Sequence, residues 1–233
     1  MSNLVEIINL TKKYEGKIIL DNISLIIPEG RIVGLLGANG TGKTTIIKII
    51  TGAIKNYSGK VLIDNHRPGI YTRSIVSYLP DKTYLSSWMK VKDTVSLLTD
   101  FYMDFDKNKA LELLKLLNID IDQNVTKLSK GTYEKVQLIL VMSRRAKLYV
   151  LDEPLDGVDS ASRDTIIDTI LTNYNEKSSV IISTQLIQDI ESSFDDVIII
   201  KDSKILVNDE VDNVRAKFGK SIDNICREAF KCC

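Results

Sequence analysis

The sequence is poor in soft metal ligands: one histidine, His66, and three cysteines, Cys226, Cys232 and Cys233, all within the last eight residues. There is no CxxC pair, so a zinc site has almost nothing to work with. The cysteines read as reduced thiols, and Cys232 and Cys233 are too close in sequence to favour bridging each other. No apolar run reaches the roughly 18 residues a membrane span requires. The start, MSNLVEIINLTKKYEG, lacks the charged n-region and apolar block of a signal peptide, so a cytoplasmic location is expected. Charge of one sign is also missing. Lys plus Arg and Asp plus Glu number 31 each, which leaves no net field to draw the chain to nucleic acid, and no such partner is expected. Internal repeats and low-complexity tracts are absent.

What remains is an ordinary globular composition, 44% apolar and 27% charged over 233 residues, long for one domain and short for two. Short β patterns fill the opening third: LVEIINL (4–10), ISLIIP (23–28), RIVGLLG (31–37) and KVLIDN (60–65). Gly16, Pro28-Glu29-Gly30 and Ser58-Gly59 punctuate them as turns. Residues 91–146 change character and read as three helices, with Asp106 as N-cap of the second. From 147 a β/α rhythm returns in LYVLDEP, a helix near 160–175, SVIIST, a helix near 185–193, and VIIIKDSKILV with a hairpin turn at Asp202-Ser203. The tail VDNVRAKFGKSIDNICREAF reads as one amphipathic helix. Continuous apolar strands separated by helices indicate a parallel sheet covered on both faces. The expected fold is therefore α/β in one domain spanning 1–233. It has a mainly parallel sheet, an N-terminal antiparallel β subdomain, a helical insertion at about 82–146 and a helical tail at about 208–233.

Between a buried strand and a helix stands G-x-x-x-x-G-K-T, Gly37 to Thr44. That context identifies a phosphate-binding loop and a P-loop NTPase core. Gly37, Asn39, Gly40, Thr41 and Gly42 turn backbone N–H groups inward onto phosphate oxygens, and the helix that follows adds the positive end of its dipole. Lys43 would reach the β and γ phosphates, the Thr44 hydroxyl would bind Mg²⁺, and Thr45 extends the cradle. LYVLDEP supplies the matching carboxylates. Asp152 would hold Mg²⁺ through water, and Glu153 sits where a general base is needed.

LSKG, Leu128 to Gly131, precedes the Asp152-Glu153 pair by about 20 residues and resembles the LSGGQ signature of the ABC (ATP-binding cassette) ATPases, with Lys130 for the first glycine of the pair and Thr132 for the glutamine. The resemblance covers roughly residues 3–215. Gly157 to Asp159 looks like the family's D-loop, and Tyr14 stands where the family places an aromatic that stacks on adenine. YLPD and LSKG are most similar to ATP-binding subunits of bacterial antibiotic- and bacteriocin-type exporters. The resemblance implies ATP and Mg²⁺ as ligands. It also implies a homodimer or a pairing with a paralogous cassette, in which Ser129, Lys130 and Gly131 meet the partner's ATP. It further implies an integral membrane permease in another chain, with this chain peripheral on the inner face of the membrane. The stretch KTYLSSWMKV, with Tyr84, Leu85, Trp88 and Met89, is then either a docking patch for that permease or packing inside the insertion.

Two positions depart from the family. Its γ-phosphate switch is a histidine, whereas this chain has Gln185, which keeps two N–H donors but cannot become cationic. Charged donors form hydrogen bonds about twice as strong as neutral ones, so turnover slowed about 10- to 100-fold is expected. Asp81 occupies the position of the family's Q-loop glutamine. It either joins Thr44 and Asp152 at the metal or points away. If it joins them, like charges near 4 Å cost about 4 kcal/mol before a cation offsets them. The function implied is ATP hydrolysis coupled to export. The alternative is a weakly hydrolysing, ATP-gated dimerisation cassette that completes a partner's site.

Overall fold

The computed structural model describes residues 2–82, 84–175 and 177–230; Cys232 and Cys233, and Thr83 of the Tyr84 stretch, lie outside them. The chain opens with strands β1 (Asn3–Tyr14), β2 (Lys17–Pro28) and β3 (Ile32–Leu36), then helix α1 (Lys43–Ile50) and β4 (Ser58–Ile63). It continues through α2 (Ile70–Ile75), β5 (Val76–Leu79), α3 (Val91–Phe101), α4 (Lys107–Leu116) and α5 (Lys130–Met142). The last third holds β6 (Leu148–Asp152), α6 (Ser160–Asn173), β7 (Ser179–Thr184), α7 (Ile187–Ile190), β8 (Asp196–Lys201), β9 (Lys204–Glu210), α8 (Val211–Phe218) and α9 (Ile222–Phe230).

Two sheets organise these elements. One has six strands in the order β5-β6-β7-β3-β8-β9, parallel except for β9 at the edge; the other is antiparallel in the order β2-β1-β4. Every residue of β3, β6 and β7 is buried, as uninterrupted apolar strands between two covered faces require. One apolar core joins this sheet to α6, α8 and α9, and a second joins it to α1 and the small sheet. A third, around Val91, Val95, Leu114, Val136 and Ile139, belongs to α3, α4 and α5.

Local chemistry explains where the elements stop. Glu15 and Gly16 both have positive φ, 47° and 84°, the requirement of a two-residue hairpin turn. The first two strands therefore run to Tyr14 and from Lys17, further than alternation alone suggests. Asp202 and Ser203, at 48° and 65°, turn β8 into β9 in the same way. The Asp106 carboxylate accepts from Lys109 N at 3.1 Å, capping α4. The tail departs from expectation. It is two helices, because Gly219 at φ 63° closes α8 in the left-handed conformation and α9 begins at Ile222. The element pair α2–β5 gave no periodicity signal, being only six and four residues long. The Tyr84 stretch divides: Met89 is buried and Leu85 packs on the helical core, whereas Trp88 is exposed.

One side chain ties the helical region to the sheet. Arg144, just past α5, donates to Val76 O at 2.7 Å and Ser74 O at 2.8 Å, pairs with Asp104 at 3.1 Å, and lies 3.9 Å from the centre of the Tyr102 ring.

Candidate functional site

The loop between β3 and α1 leaves the middle of the large sheet at its C-terminal edge. Gly42 sets its geometry. Its φ is 109°, and a Cβ there would come within 2.6 Å of Leu20 Cδ2 and 3.2 Å of Ile19 O. Only glycine lets the loop pass under the β1–β2 hairpin at this distance. Lys43, the first residue of α1, is buried. Its ammonium donates to Gly37 O at 2.7 Å and stands 3.3 Å from Glu153 Oε1.

Asp152 and Glu153 end β6 next to that loop. Asp152 Oδ1 accepts from Ser183 Oγ at 2.6 Å and from Thr44 Oγ1 at 3.3 Å. Its Oδ2 is buried with no hydrogen-bond partner. An acceptor left bare in the interior costs about 1–3 kcal/mol and fits a cation bound directly or through water beside Thr44. Among the described residues no group of three or more His, Cys, Asp or Glu side chains suits a metal. A Mg²⁺ ion here would therefore draw its other ligands from phosphate and water. Burial pushes the Asp152 pKa above its ordinary value of 3.8, with the Asp81 charge adding to it, against the hydrogen bonds from Ser183 and Thr44 and the Lys43 charge.

A carboxylate with a raised folded pKa costs no stability below that ordinary value. The cost then grows as pH rises through the folded pKa. Asp152→Asn should therefore stabilise the ligand-free chain at neutral pH, by about 1–2 kcal/mol, while weakening any gain from Mg-ATP. Thermal melts of both proteins with and without Mg-ATP check this, and a destabilised Asn variant would show that the charge is compensated.

Glu153 has φ 52°, an uncommon conformation for a non-glycine residue. It is held there by its N–H, which reaches Ser183 O at 3.0 Å and Ser183 Oγ at 2.9 Å. Its Oε2 accepts from Gln185 N at 3.2 Å, and Gln185 Nε2 donates to Asn39 Oδ1 at 2.7 Å. Gln185 thus bridges Asp152-Glu153's neighbourhood to the phosphate loop. Glu153, Gln185 and Asn39 line a cavity of about 410 Å³ together with Lys43, Thr44, Tyr14, Gly40, Thr45 and Asp81, while Asp152 and Ser183 lie outside its lining. Asp81 therefore faces the site.

Thr41 and Gly37 are not among the lining residues; the Thr41 hydroxyl donates to Ala38 O at 2.9 Å, within the loop itself. Ser129, Gly131 and Asp159 also lie outside this cavity. Ser129 Oγ caps α5 by accepting from Thr132 N at 3.2 Å, and Asp159 Oδ1 caps α6 by accepting from Ser162 N at 2.9 Å. A Cβ on Gly131 would lie 3.3 Å from Asp159 Oδ2, so the two helix N-termini sit side by side. Lys130 starts α5. Its ammonium crosses Gly157, where an added Cβ would overlap it at 1.7 Å, and it lines a small hollow with Asp81, Glu134, Glu153 and Asp156 of its own chain.

Sequence reasoning missed Ser183, Ile19, Asp156 and Glu134. A polar residue inside the wholly buried β7 was the available signal for Ser183; the other three carry none.

The ABC transporter family profile matches residues 20–156. The chain is 31% identical to an ABC transporter ATP-binding protein of Methanocaldococcus jannaschii over 98% of this chain and 81% of the relative. It is 31% identical to the SkfA peptide export ATP-binding protein SkfE of Bacillus subtilis, over 87% of each chain. It is 28% identical to the lantibiotic transport ATP-binding protein SrtF of Streptococcus pyogenes, over 94% of this chain and 97% of the relative. Among solved structures, an ATP-binding subunit of an ABC transporter superposes with a TM-score of 0.85 at 23% identity, covering 97% of this chain and 99% of the other. A dimeric cassette in a post-hydrolysis state with ADP and phosphate gives 0.78 at 23% identity, over 88% and 98%.

Proposed function

Because the chain belongs to the ABC transporter family, whose members in general hydrolyse ATP, we propose that it couples ATP-driven closure of two cassettes to export through a separate membrane subunit. One observation carries the reading. The Ser129–Gly131 end of α5 is capped and absent from the lining of the phosphate-loop cavity. Ser129 Oγ takes up the Thr132 N–H, and the remaining N–H groups of this N-terminus can attract a nucleotide held by another chain. The names of SkfE and SrtF, a peptide export and a lantibiotic transport protein, support export as the process. Among the described residues no helix is long and apolar enough to cross a membrane, which fits a subunit seated on the inner face of a membrane against a permease.

In this reading the loop from Gly37 to Thr45 holds the phosphates, and Lys43 exchanges part of its contact with Gly37 O for the β and γ oxygens. Thr44 and Asp152, with Asp81 at the rim, would hold Mg²⁺, which would supply positive charge against the terminal phosphate. Glu153 takes the proton of the attacking water. Gln185 gives up Asn39 and turns its amide to the γ-phosphate. Asp159 braces the start of α6 against the partner.

Binding of Mg-ATP to the purified Glu153→Gln chain should double its mass by light scattering, whereas ADP should not. Persistence of the monomer with saturating ATP, together with the absence of any co-purifying integral membrane protein, would overturn the proposal. The neutral switch predicts slow turnover. Gln185→His should raise the steady-state rate about 10- to 100-fold, about 1.4–2.7 kcal/mol, with the KM for ATP changed little. An unchanged rate would place the side chain outside the chemistry.

A further inference from the structure

Among the described residues Lys12 is one of the few buried cations, 7% exposed. Its ammonium donates to Asn56 O at 2.6 Å and stands 4.5 Å from the centre of the Tyr14 ring. Lys12 and Tyr14 are two apart on β1, and the cation–ring distance places their side chains together. The strand is irregular there, with register shifts on both sides of Lys12. Tyr14 lines the large cavity and Lys12 does not. The cation therefore backs the ring and reaches no ligand itself. Asn56 belongs to the segment that leaves α1 for β4, so the contact also ties the end of β1 to the chain that follows the phosphate-loop helix.

We propose that Lys12 is a positioning residue for the nucleobase, acting through Tyr14. The tether to Asn56 fixes the ring at a set distance from the phosphate cradle. The charge draws the ring's π density towards its inner face. The outer face, left poorer in electrons, stacks more favourably on a purine, since facing π clouds repel. The inference rests on the reading of Tyr14 as the base platform.

The test compares binding of Mg-ATP with binding of magnesium tripolyphosphate, which has no base, by calorimetry on the full chain. Tyr14→Ala should weaken ATP about 10-fold or more and leave tripolyphosphate unchanged. Lys12→Gln keeps a donor for Asn56 O but removes the charge; it should weaken ATP about 3- to 10-fold with tripolyphosphate unchanged. Lys12→Met removes both and should lose at least as much, whereas Lys12→Arg should bind as the parent does. Should Lys12→Met fail to fold, Lys12→Gln carries the comparison. Parental ATP affinity in Lys12→Gln, or equal weakening of ATP and tripolyphosphate, would overturn the proposal while Tyr14→Ala still shows its base-dependent loss. An unaffected Tyr14→Ala would instead remove the base-platform reading and this inference with it.

Discussion

Glu153→Gln should lower the steady-state ATPase rate by about 100- to 10,000-fold, the range a positioned general base contributes. The geometry makes this carboxylate hard to replace. Two hydrogen bonds to Ser183 lock its backbone in an uncommon conformation. Its two oxygens are divided between the Lys43 ammonium at 3.3 Å and the Gln185 N–H at 3.2 Å. A terminal phosphate that draws Lys43 towards itself would free Oε1 for water while the Gln185 main-chain N–H holds Oε2 in place. Glutamine has the same reach and can keep the bond to Gln185 N, so ATP binding should survive. Phosphate release and equilibrium binding on the same preparation separate the two effects. A loss of rate below about 10-fold would mean that another group takes the proton.

Arg144→Met should destabilise the fold by about 3–5 kcal/mol, the cost of breaking a buried ion pair by removing one partner. At about 2–4 °C per kcal/mol for a chain of this size, the melting temperature should fall by roughly 6–20 °C. Three kinds of contact end together: two carbonyl oxygens at Ser74 and Val76 lose their donor, Asp104 loses its countercharge, and Tyr102 loses the cation over its ring. The stem volume is retained by methionine, which isolates the polar loss from a cavity. The damage should also be regional, with faster hydrogen exchange in β5 and around Asp104. A melting point within 2 °C of the parent, roughly 1 kcal/mol or less, would show that solvent replaces these bonds freely.

Arg144 also marks the limit of what the residue order reveals. Gly37 to Thr44 and Asp152-Glu153 were readable because each motif lies at the end of one strand and needs only local context. Asp106 and the Asp202-Ser203 turn were readable for the same reason, since caps and turns satisfy the backbone within three residues. Arg144, Ser183 and Lys12 act across 30 to 70 positions of sequence, and nothing near them announces their partners. Lys130 shows a different gap. Its motif implies a phosphate in another chain, and nothing in the residue order tells of the acidic groups of its own chain that the fold brings within its reach. The split of the tail at Gly219 was signalled by that glycine, and continuous amphipathicity on both sides masked it.

The place of β3 has a consequence for synthesis. Its hydrogen-bonding neighbours are β7 and β8, both parallel, so no adjacent hairpin can shelter it. As the polypeptide leaves the ribosome, the apolar run Ile32–Leu36 must wait for Ser179–Thr184 to emerge. At about 5–20 residues per second that wait is roughly 7–30 s. Nucleotide in the surrounding cell cannot shorten it, because the loop that would capture phosphate has no framework until both late strands arrive. Half-made chains of this protein should therefore be ready clients for chaperones that grip short apolar segments.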